Sequence, residues 1–296
     1  MNKHESALRD FQATIDHHLH LYLAASDDVP ANLAKAMAYS VMAGGKRLRP
    51  VLALAAADLV GGDWKKALPV AIAIELIHTY SLIHDDLPAM DNDDFRRGKP
   101  TSHRVFGEAL AILAGDALLT GAFELLAEHS PDQFTPRTAL HIIRIVAQAA
   151  GKTGMIAGQA ADIESSIETC SPDLVEYIHL RKTAALLKAA VMAGALTNMA
   201  SADQMRQLES FGLHFGLAFQ IQDDILDVTQ TTEILGKPAG SDQNNNKLTS
   251  VTVWGVEHSR RIAEQHYQEA IAALTGFDEK ADFLRYLADY CIRRNL

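Results

Sequence analysis

The chain has 296 residues, 48% of them hydrophobic and 22% charged, with a formal net charge of −10. Such a composition can bury a sizeable core and excludes disordered and fibrous classes, while the acidic balance argues against nucleic acid or anionic lipid as broad electrostatic partners. Two cysteines, Cys170 and Cys291, give neither a disulfide framework nor a sulfur metal set; the polar start lacks a signal-peptide core, and no unbroken run reaches the ~18 apolar residues that span a bilayer, so a cytoplasmic protein with no stable membrane association is expected.

Apolar residues recur at intervals of three and four, as in Leu33, Ala36, Met37, Val41 and in Ile142, Ile145, Val146, Ala149, and strict alternation is scarce. An all-α chain follows. Breakers at Gly44-Gly45, Gly61-Gly62, Gly98-Lys99-Pro100, Ser130-Pro131, Ser171-Pro172 and Gly236-Lys237-Pro238 divide it into roughly ten helices. No linker or repeat separates two halves, so residues 1–296 read as a single domain, one large bundle around a cavity.

In chain order, His17, His18 and His20 lie on a polar amphipathic start and read as a solvated face. Gly44-Gly45-Lys46-Arg47-Leu48-Arg49-Pro50 is the main basic cluster, its glycines permitting close backbone approach and its cations suited to phosphate oxygens. An apolar segment carrying His78 and Tyr80 then ends in Asp85-Asp86-Leu87-Pro88-Ala89-Met90-Asp91, followed by Arg96-Arg97. Lys182-Thr183 and Gln220 sit near helix ends, and a second apolar stretch ends in Asp223-Asp224-Ile225-Leu226-Asp227. Residues 229–247, with Gly236, Lys237, Pro238 and Lys247, read as a lid after the second cluster.

The two acidic clusters carry the most information. Unpaired carboxylates at the end of segments built for burial cost several kcal/mol each, which points to a cation, and oxygen ligands without sulfur suit Mg²⁺ shared with substrate phosphates. Asp223 and Asp227 are four apart, about 400° of helical turn, hence on one face. Asp85 and Asp91 are six apart and would face differently on an unbroken helix, but Pro88 predicts a break that returns Asp91 to the side of Asp85.

Together with Gly158-Gln159, Lys182-Thr183 and Phe219-Gln220, these motifs resemble the trans-isoprenyl diphosphate synthases, nearest to the bacterial short-chain farnesyl diphosphate synthases, from about residue 30 to the C-terminus. The resemblance implies a homodimer in which Asp85, Asp91 and Asp223 bind Mg²⁺, three ions per site with Mn²⁺ able to substitute, and grip an allylic diphosphate with Arg96, Lys182, Gln220 and Lys237. It implies that Lys46, Arg49, His78 and Arg97 hold isopentenyl diphosphate, that Thr183 and Lys247 contribute to substrate binding, and that Asp86, Asp224 and Asp227 complete the metal set or orient its waters. An aromatic five residues before the first aspartate, here Tyr80, would close the cavity floor and favour a fifteen-carbon product over geranyl or geranylgeranyl diphosphate. Two departures from the family pattern stand out: Gln230-Thr231 in place of Gly-Asp, and Lys247-Leu248-Thr249-Ser250-Val251 in place of Lys-Xaa-Thr-Xaa-Pro. A terpene cyclase, a non-catalytic synthase subunit and an acidic helical scaffold are the rival readings. The aspartate second motif argues against the first, the presence of all six aspartates against the second, and the buried charge against the third.

Overall fold

Helix α1 (Lys3–Ala24) turns Leu8, Phe11, Ile15 and Leu19 inward, a stripe spaced at three and four. The computed structural model, which describes residues 3–24, 28–128, 134–166, 170–230 and 247–292, continues with α2 (Ala31–Val41), α3 (Leu48–Val60), a 3₁₀ turn (Trp64–Ala67), α4 (Leu68–Asp85), a minimal antiparallel hairpin (Phe95–Arg96 with Lys99–Pro100), α5 (Ser102–Phe106) and α6 (Glu108–Glu128). Then come α7 (Pro136–Ala150), α8 (Met155–Glu164), α9 (Pro172–Ile178), a π-helical turn (His179–Ala184), α10 (Ala185–Thr197), α11 (Ala202–Thr229), α12 (Ser250–Trp254), α13 (Val256–Ala273), a 3₁₀ turn (Glu279–Ala281) and α14 (Asp282–Ile292). The all-helical expectation holds.

Fourteen helices among the described residues exceed the ten that the breakers predicted. Gly107 and Gly255, at φ +85° and +74°, split what reads as continuous helix into α5 and α6 and into α12 and α13. Starts are chemically specified: Ser201 and Gln204 form a capping box at α11, and Ser171 accepts from Leu174 N ahead of Pro172 at α9.

Helices α3, α4, α10 and α11 form the centre. α4 packs on α6 and α3, α10 on α3 and α11, and α11 on α13. The core runs from Leu8 to Ile292 as one connected cluster; truncating a fully buried ring such as Phe211 or Phe215 should cost about 3–5 kcal/mol. Trp64–Asp85 and Glu108–Glu128 are long and apolar enough by composition to cross a membrane, at mean hydropathies of 1.4 and 1.7, although neither is an uninterrupted apolar run; the former is 72% buried in the bundle.

Candidate active site

Four local structures build the site, and the basic loop is the first. Residues 44, 45 and 47 have positive φ, Arg47 at +51°, which turns the Arg47 side chain inward. Its Nη1 lies 2.7 Å from Glu75 Oε1, Nε 2.8 Å from Asp16 Oδ1, and Nη2 donates to the Val41 carbonyl at 2.7 Å. The Arg47–Glu75 pair is buried, and it fixes the loop that presents Arg49 to the interior. Lys46 is exposed, its carbonyl accepting from Gln12 Nε2.

The hairpin is the second. Arg97, at φ +54°, donates to the Gly44 carbonyl, and a Cβ at Gly45 would come within 2.7 Å of the Arg97 guanidinium. Glycine is favoured there by its φ of +131°, and a side chain would in addition push the Arg97 guanidinium off the loop. Arg96 pairs with Asp86 at 2.6 Å and approaches Asp93 at 3.4 Å. Burial pushes the Asp86 carboxyl up, and Arg96 pulls against it.

The third is the end of α4. Beyond Asp85 the chain leaves the helix, and Asp91 N donates to the Asp85 carbonyl at 2.9 Å, returning Asp91 to the side of Asp85 across the break anticipated at Pro88. Burial pushes the Asp85 carboxyl up, Lys182 opposes it, and Asp91 reinforces it by repulsion. Lys247 reaches across from the other half of the chain to Asp91, Nζ to Oδ2 2.6 Å.

The π turn is the fourth. Its five-residue hydrogen-bond spacing, frequent at functional sites, places Lys182 and Thr183 beside α8, where a Cβ on Gly158 would collide with the Lys182 backbone. Lys182 pairs with Asp162 at 2.5 Å. Thr183 Oγ1 donates to Gln220 Oε1 at 2.6 Å, and Gln220 Nε2 donates to Asp224 Oδ1 at 2.8 Å. Asp224 also accepts from Ser250 N at 2.7 Å and faces His179 Nε2 at 3.1 Å. Burial raises its carboxyl, but His179, Ser250 N and Gln220 outweigh that and leave it below the ordinary carboxylate range.

A cavity of about 500 Å³ opens between α4, α6, α8 and the π turn. Arg49, His78, Asp85, Gln159, Lys182 and Thr183 line its polar head, and Tyr80, Leu119 and Met155 contribute to its apolar part. Arg49 Nη1 lies 3.3 Å from His78 Nε2. Burial lowers Arg49 to about 10, and burial together with Arg49 drives His78 well below its ordinary value, so His78 is neutral and its Nε2 accepts. Arg49 Nε and both polar atoms of the Gln159 amide are buried without a hydrogen-bond partner in the protein. Tyr80 is buried edge-on against His84, with ring centroids 5.6 Å apart, and its hydroxyl is raised to about 12 by burial and then Asp85.

Among the sequence-derived candidates, Arg49, His78, Tyr80, Asp85, Lys182 and Thr183 meet at the cavity, with Asp91, Lys247 and Gln220 bonded around it. Asp223, half-buried, acts electrostatically on Arg49, and Asp227 is buried one turn further along α11. Lys46 does not line the cavity, and Lys237 with residues 231–246 of the anticipated lid lies outside the described residues. Gln230 ends α11, its N–H donating to the Leu226 carbonyl.

Four contributors carried no role in the sequence reading. Arg47 read as one more loop cation, although Glu75, the one acidic or basic residue between Leu68 and Ile77 in α4, signals a buried partner. Asp162 sits one turn past Gly158, and His179 three residues before Lys182.

Metal chemistry is consistent with this donor set. Among the described residues no three His, Cys, Asp or Glu side chains converge into a protein-only cage, and Mg²⁺ does not require one: one or two carboxylates plus waters and substrate oxygens suffice. Asp85 and Asp91, half-buried and mutually repelling, supply such a set.

The Polyprenyl synthetase family model matches residues 30–287. The chain is 51% identical to the farnesyl diphosphate synthase of Geobacillus stearothermophilus over 90% of each chain, and 44% identical to that of Bacillus subtilis over 99% of each. It is also 49% identical to the large subunit 1 of the heterodimeric chloroplastic geranylgeranyl pyrophosphate synthase of Arabidopsis thaliana, over 90% of this chain and 73% of that one. Among solved structures, an apo FPP/GFPP synthase from Zymomonas mobilis superposes with a TM-score of 0.85 at 38% identity over 98% of both chains. A geranyltransferase from Legionella pneumophila superposes at 0.89 and 32% identity, over 99% of this chain and 98% of the other. With the family model spanning most of its length, and with relatives this similar across nearly all of theirs, the chain belongs to the polyprenyl synthetase family.

Proposed function

We propose that this protein is a short-chain trans-prenyltransferase that condenses isopentenyl diphosphate with dimethylallyl or geranyl diphosphate, with farnesyl diphosphate as its principal product. The observation that carries this reading is the cavity of about 500 Å³ with a cationic and carboxylate head and an apolar part beside Tyr80, a size typical of small-molecule sites. Relatives named for both fifteen- and twenty-carbon products keep geranylgeranyl diphosphate as the second reading.

Asp85, Asp91 and Asp223 hold Mg²⁺, three ions per site, with Asp86, Asp224 and Asp227 supporting them. Bound Mg²⁺ supplies charge neutralisation of the departing diphosphate, which stabilises ionisation of the allylic carbon–oxygen bond. Arg96, Lys182, Gln220 and Lys237 position that diphosphate, and Lys247, held by Asp91, can transfer to it when substrate enters. Arg49, whose buried Nε lacks a protein partner, donates to isopentenyl diphosphate together with Lys46, Arg97 and the neutral His78. The apolar wall excludes water from the cation while the alkene attacks it to form the new carbon–carbon bond, and the released diphosphate accepts the proton whose loss from the resulting cation restores a double bond. Tyr80 limits chain growth.

The protein works as one domain and as a homodimer, supported by exposed large apolar side chains on two successive helices, Leu113 at 54% and Leu140 at 69% exposure. A reducing, cytoplasmic setting fits its free thiols, Cys170 and Cys291.

The deciding experiment incubates purified protein with Mg²⁺, isopentenyl diphosphate and each allylic starter, then sizes the products. A dominant fifteen-carbon product is expected. Twenty carbons would move the reading to its alternative, and no chain extension with any starter would overturn it.

A further inference from the structure

Helix α1 carries none of the motifs that define the site, yet two of its side chains reach the loop that presents Lys46 and Arg49. Gln12 and Asp16 are four apart, about 400° of helical turn, so they share one edge of the helix one turn apart. Gln12 Nε2 donates to the Lys46 carbonyl at 2.8 Å, and Asp16 Oδ1 accepts from Arg47 Nε at 2.8 Å. The two contacts fall on consecutive loop residues. Beside that edge, the stripe of Leu8, Phe11, Ile15 and Leu19 seats α1 in the core, with the Phe11 ring 5.1 Å from Trp64 and 5.5 Å from Phe283. The gripping edge is thereby fixed to the bundle.

The loop needs support from outside itself. Gly44, Gly45 and Arg47 all have positive φ, and two adjacent glycines leave a free backbone many conformations. Its carbonyls are held from two sides, that of Gly44 by Arg97 of the hairpin and that of Lys46 by Gln12 of α1. Asp16 adds a charge-assisted bond to Arg47, the loop side chain that turns inward. Neutralising Arg47 does not require Asp16, because the buried guanidinium also meets Glu75 and the Val41 carbonyl at 2.7 Å each. What Asp16 supplies is position. Arg96, Lys182 and Gln220 are held instead by Asp86, Asp162 and Asp224, on other elements.

We propose that Gln12 and Asp16 are positioning residues that hold the backbone at Lys46–Arg47, so that Lys46 and Arg49 keep the spacing that isopentenyl diphosphate needs, and that α1 thereby sets affinity for one of the two substrates. This rests on the prenyl-transfer reading. A loop that must be ordered as its ligand arrives loses affinity by the cost of that ordering, whereas a loop already held does not. The allylic diphosphate, gripped from the hairpin, the π turn and α11, is spared that cost.

The test compares Gln12→Ala, Asp16→Ala, Asp16→Asn, the double variant Gln12→Ala/Asp16→Ala and, as a packing control on the same helix, Ile15→Val with wild type, measuring kcat, KM for each diphosphate and melting temperature. Each single alanine variant should raise KM for isopentenyl diphosphate about 3- to 10-fold and the double variant about 10-fold or more, with kcat and the allylic KM within about twofold of wild type. Asp16→Asn, whose amide oxygen still accepts from Arg47, should lie closer to wild type than to Asp16→Ala. Ile15→Val should lower the melting temperature and leave both KM values unchanged. An unchanged isopentenyl diphosphate KM in the double variant would overturn the proposal, as would a parallel rise in both KM values or an equal rise in Ile15→Val. If the double variant does not fold, the single variants decide by the same criteria. Wild-type protein inert with every starter would overturn the functional reading and this proposal with it. Active wild type with any of the contrary variant results overturns this proposal alone.

Discussion

In the first acidic arm the backbone leaves its helix after Asp85 and folds back until Asp91 N meets the Asp85 carbonyl, whereas in the second arm α11 runs unbroken through Asp223 and Asp227 to Thr229. Both strategies bring carboxylates to one side, but they differ in what holds them. The loop-built arm depends on distant partners: Arg96 on Asp86, Lys247 on Asp91, and beneath them the buried Arg47–Glu75 pair that shapes the basic loop against which Arg97 rests. The helix-built arm inherits its geometry from α11 itself, packed on α10 and α13. A loop can adjust its carboxylates to a ligand. A helix sets a fixed reference.

The largest effects should come from removing one carboxylate from either arm. Asp85→Ala and Asp223→Ala should each reduce kcat at least about 100-fold, with helicity by circular dichroism unchanged. Near-normal turnover in one of them would show that the arms are not equal partners.

Stability should separate the arms next. Arg47→Ala leaves Glu75 buried without its guanidinium and should cost about 3–5 kcal/mol in denaturant unfolding. Lys188→Ala, which removes the more exposed Lys188–Glu209 pair between α10 and α11, should cost less than about 1 kcal/mol. Equal costs would erase the distinction between an arm resting on a buried ion pair and one resting on a helix.

Product length probes the apolar cavity wall next to the first arm. Tyr80→Ala should shift the main product by at least one five-carbon unit, read by sizing the extracted alcohols; an unchanged distribution would remove Tyr80 from the floor.

The smallest effect concerns the packing of the second arm. His214 Nδ1 on α11 and His266 Nδ1 on α13 lie 3.0 Å apart, so one ring must accept and stay neutral. Burial first, then repulsion from His214 and His179 against the pull of Glu269, lowers His266 to about 4 from 6.5. Between those values the unfolded chain binds a proton that the folded one does not. This contribution to stability is therefore complete above pH 6.5 and is lost as pH falls toward 4. His266→Phe should flatten the melting temperature across that window, and an unaltered slope would assign it to other groups.

Much of this was legible in sequence. Periodicity gave the helical class, and the four- and six-residue spacings gave both arms, because those signals are local. The extra splits at Gly107 and Gly255 went unread because a lone glycine within a helical pattern does not reveal its φ. Partners escaped for a different reason. Nothing local to Asp224 indicates that His179, 45 positions earlier, neutralises it, or that Lys182 is met by Asp162. Those pairings exist only once α8, the π turn and α11 are packed. Glu75 is the exception: a single charge between Leu68 and Ile77 in α4 is a local sign of a buried counterion.

The π turn at His179–Ala184 amounts to a helix carrying one surplus residue. Excising a single position there would let α9 and α10 merge into one regular helix with both flanks keeping their places, while the turn itself would lose the wider spacing that sends Lys182 toward Asp162 and Thr183 toward Gln220. The number of residues in this one turn is thus set by the two side chains it aims in different directions, so a lineage could exchange side chains here more freely than it could gain or lose a codon.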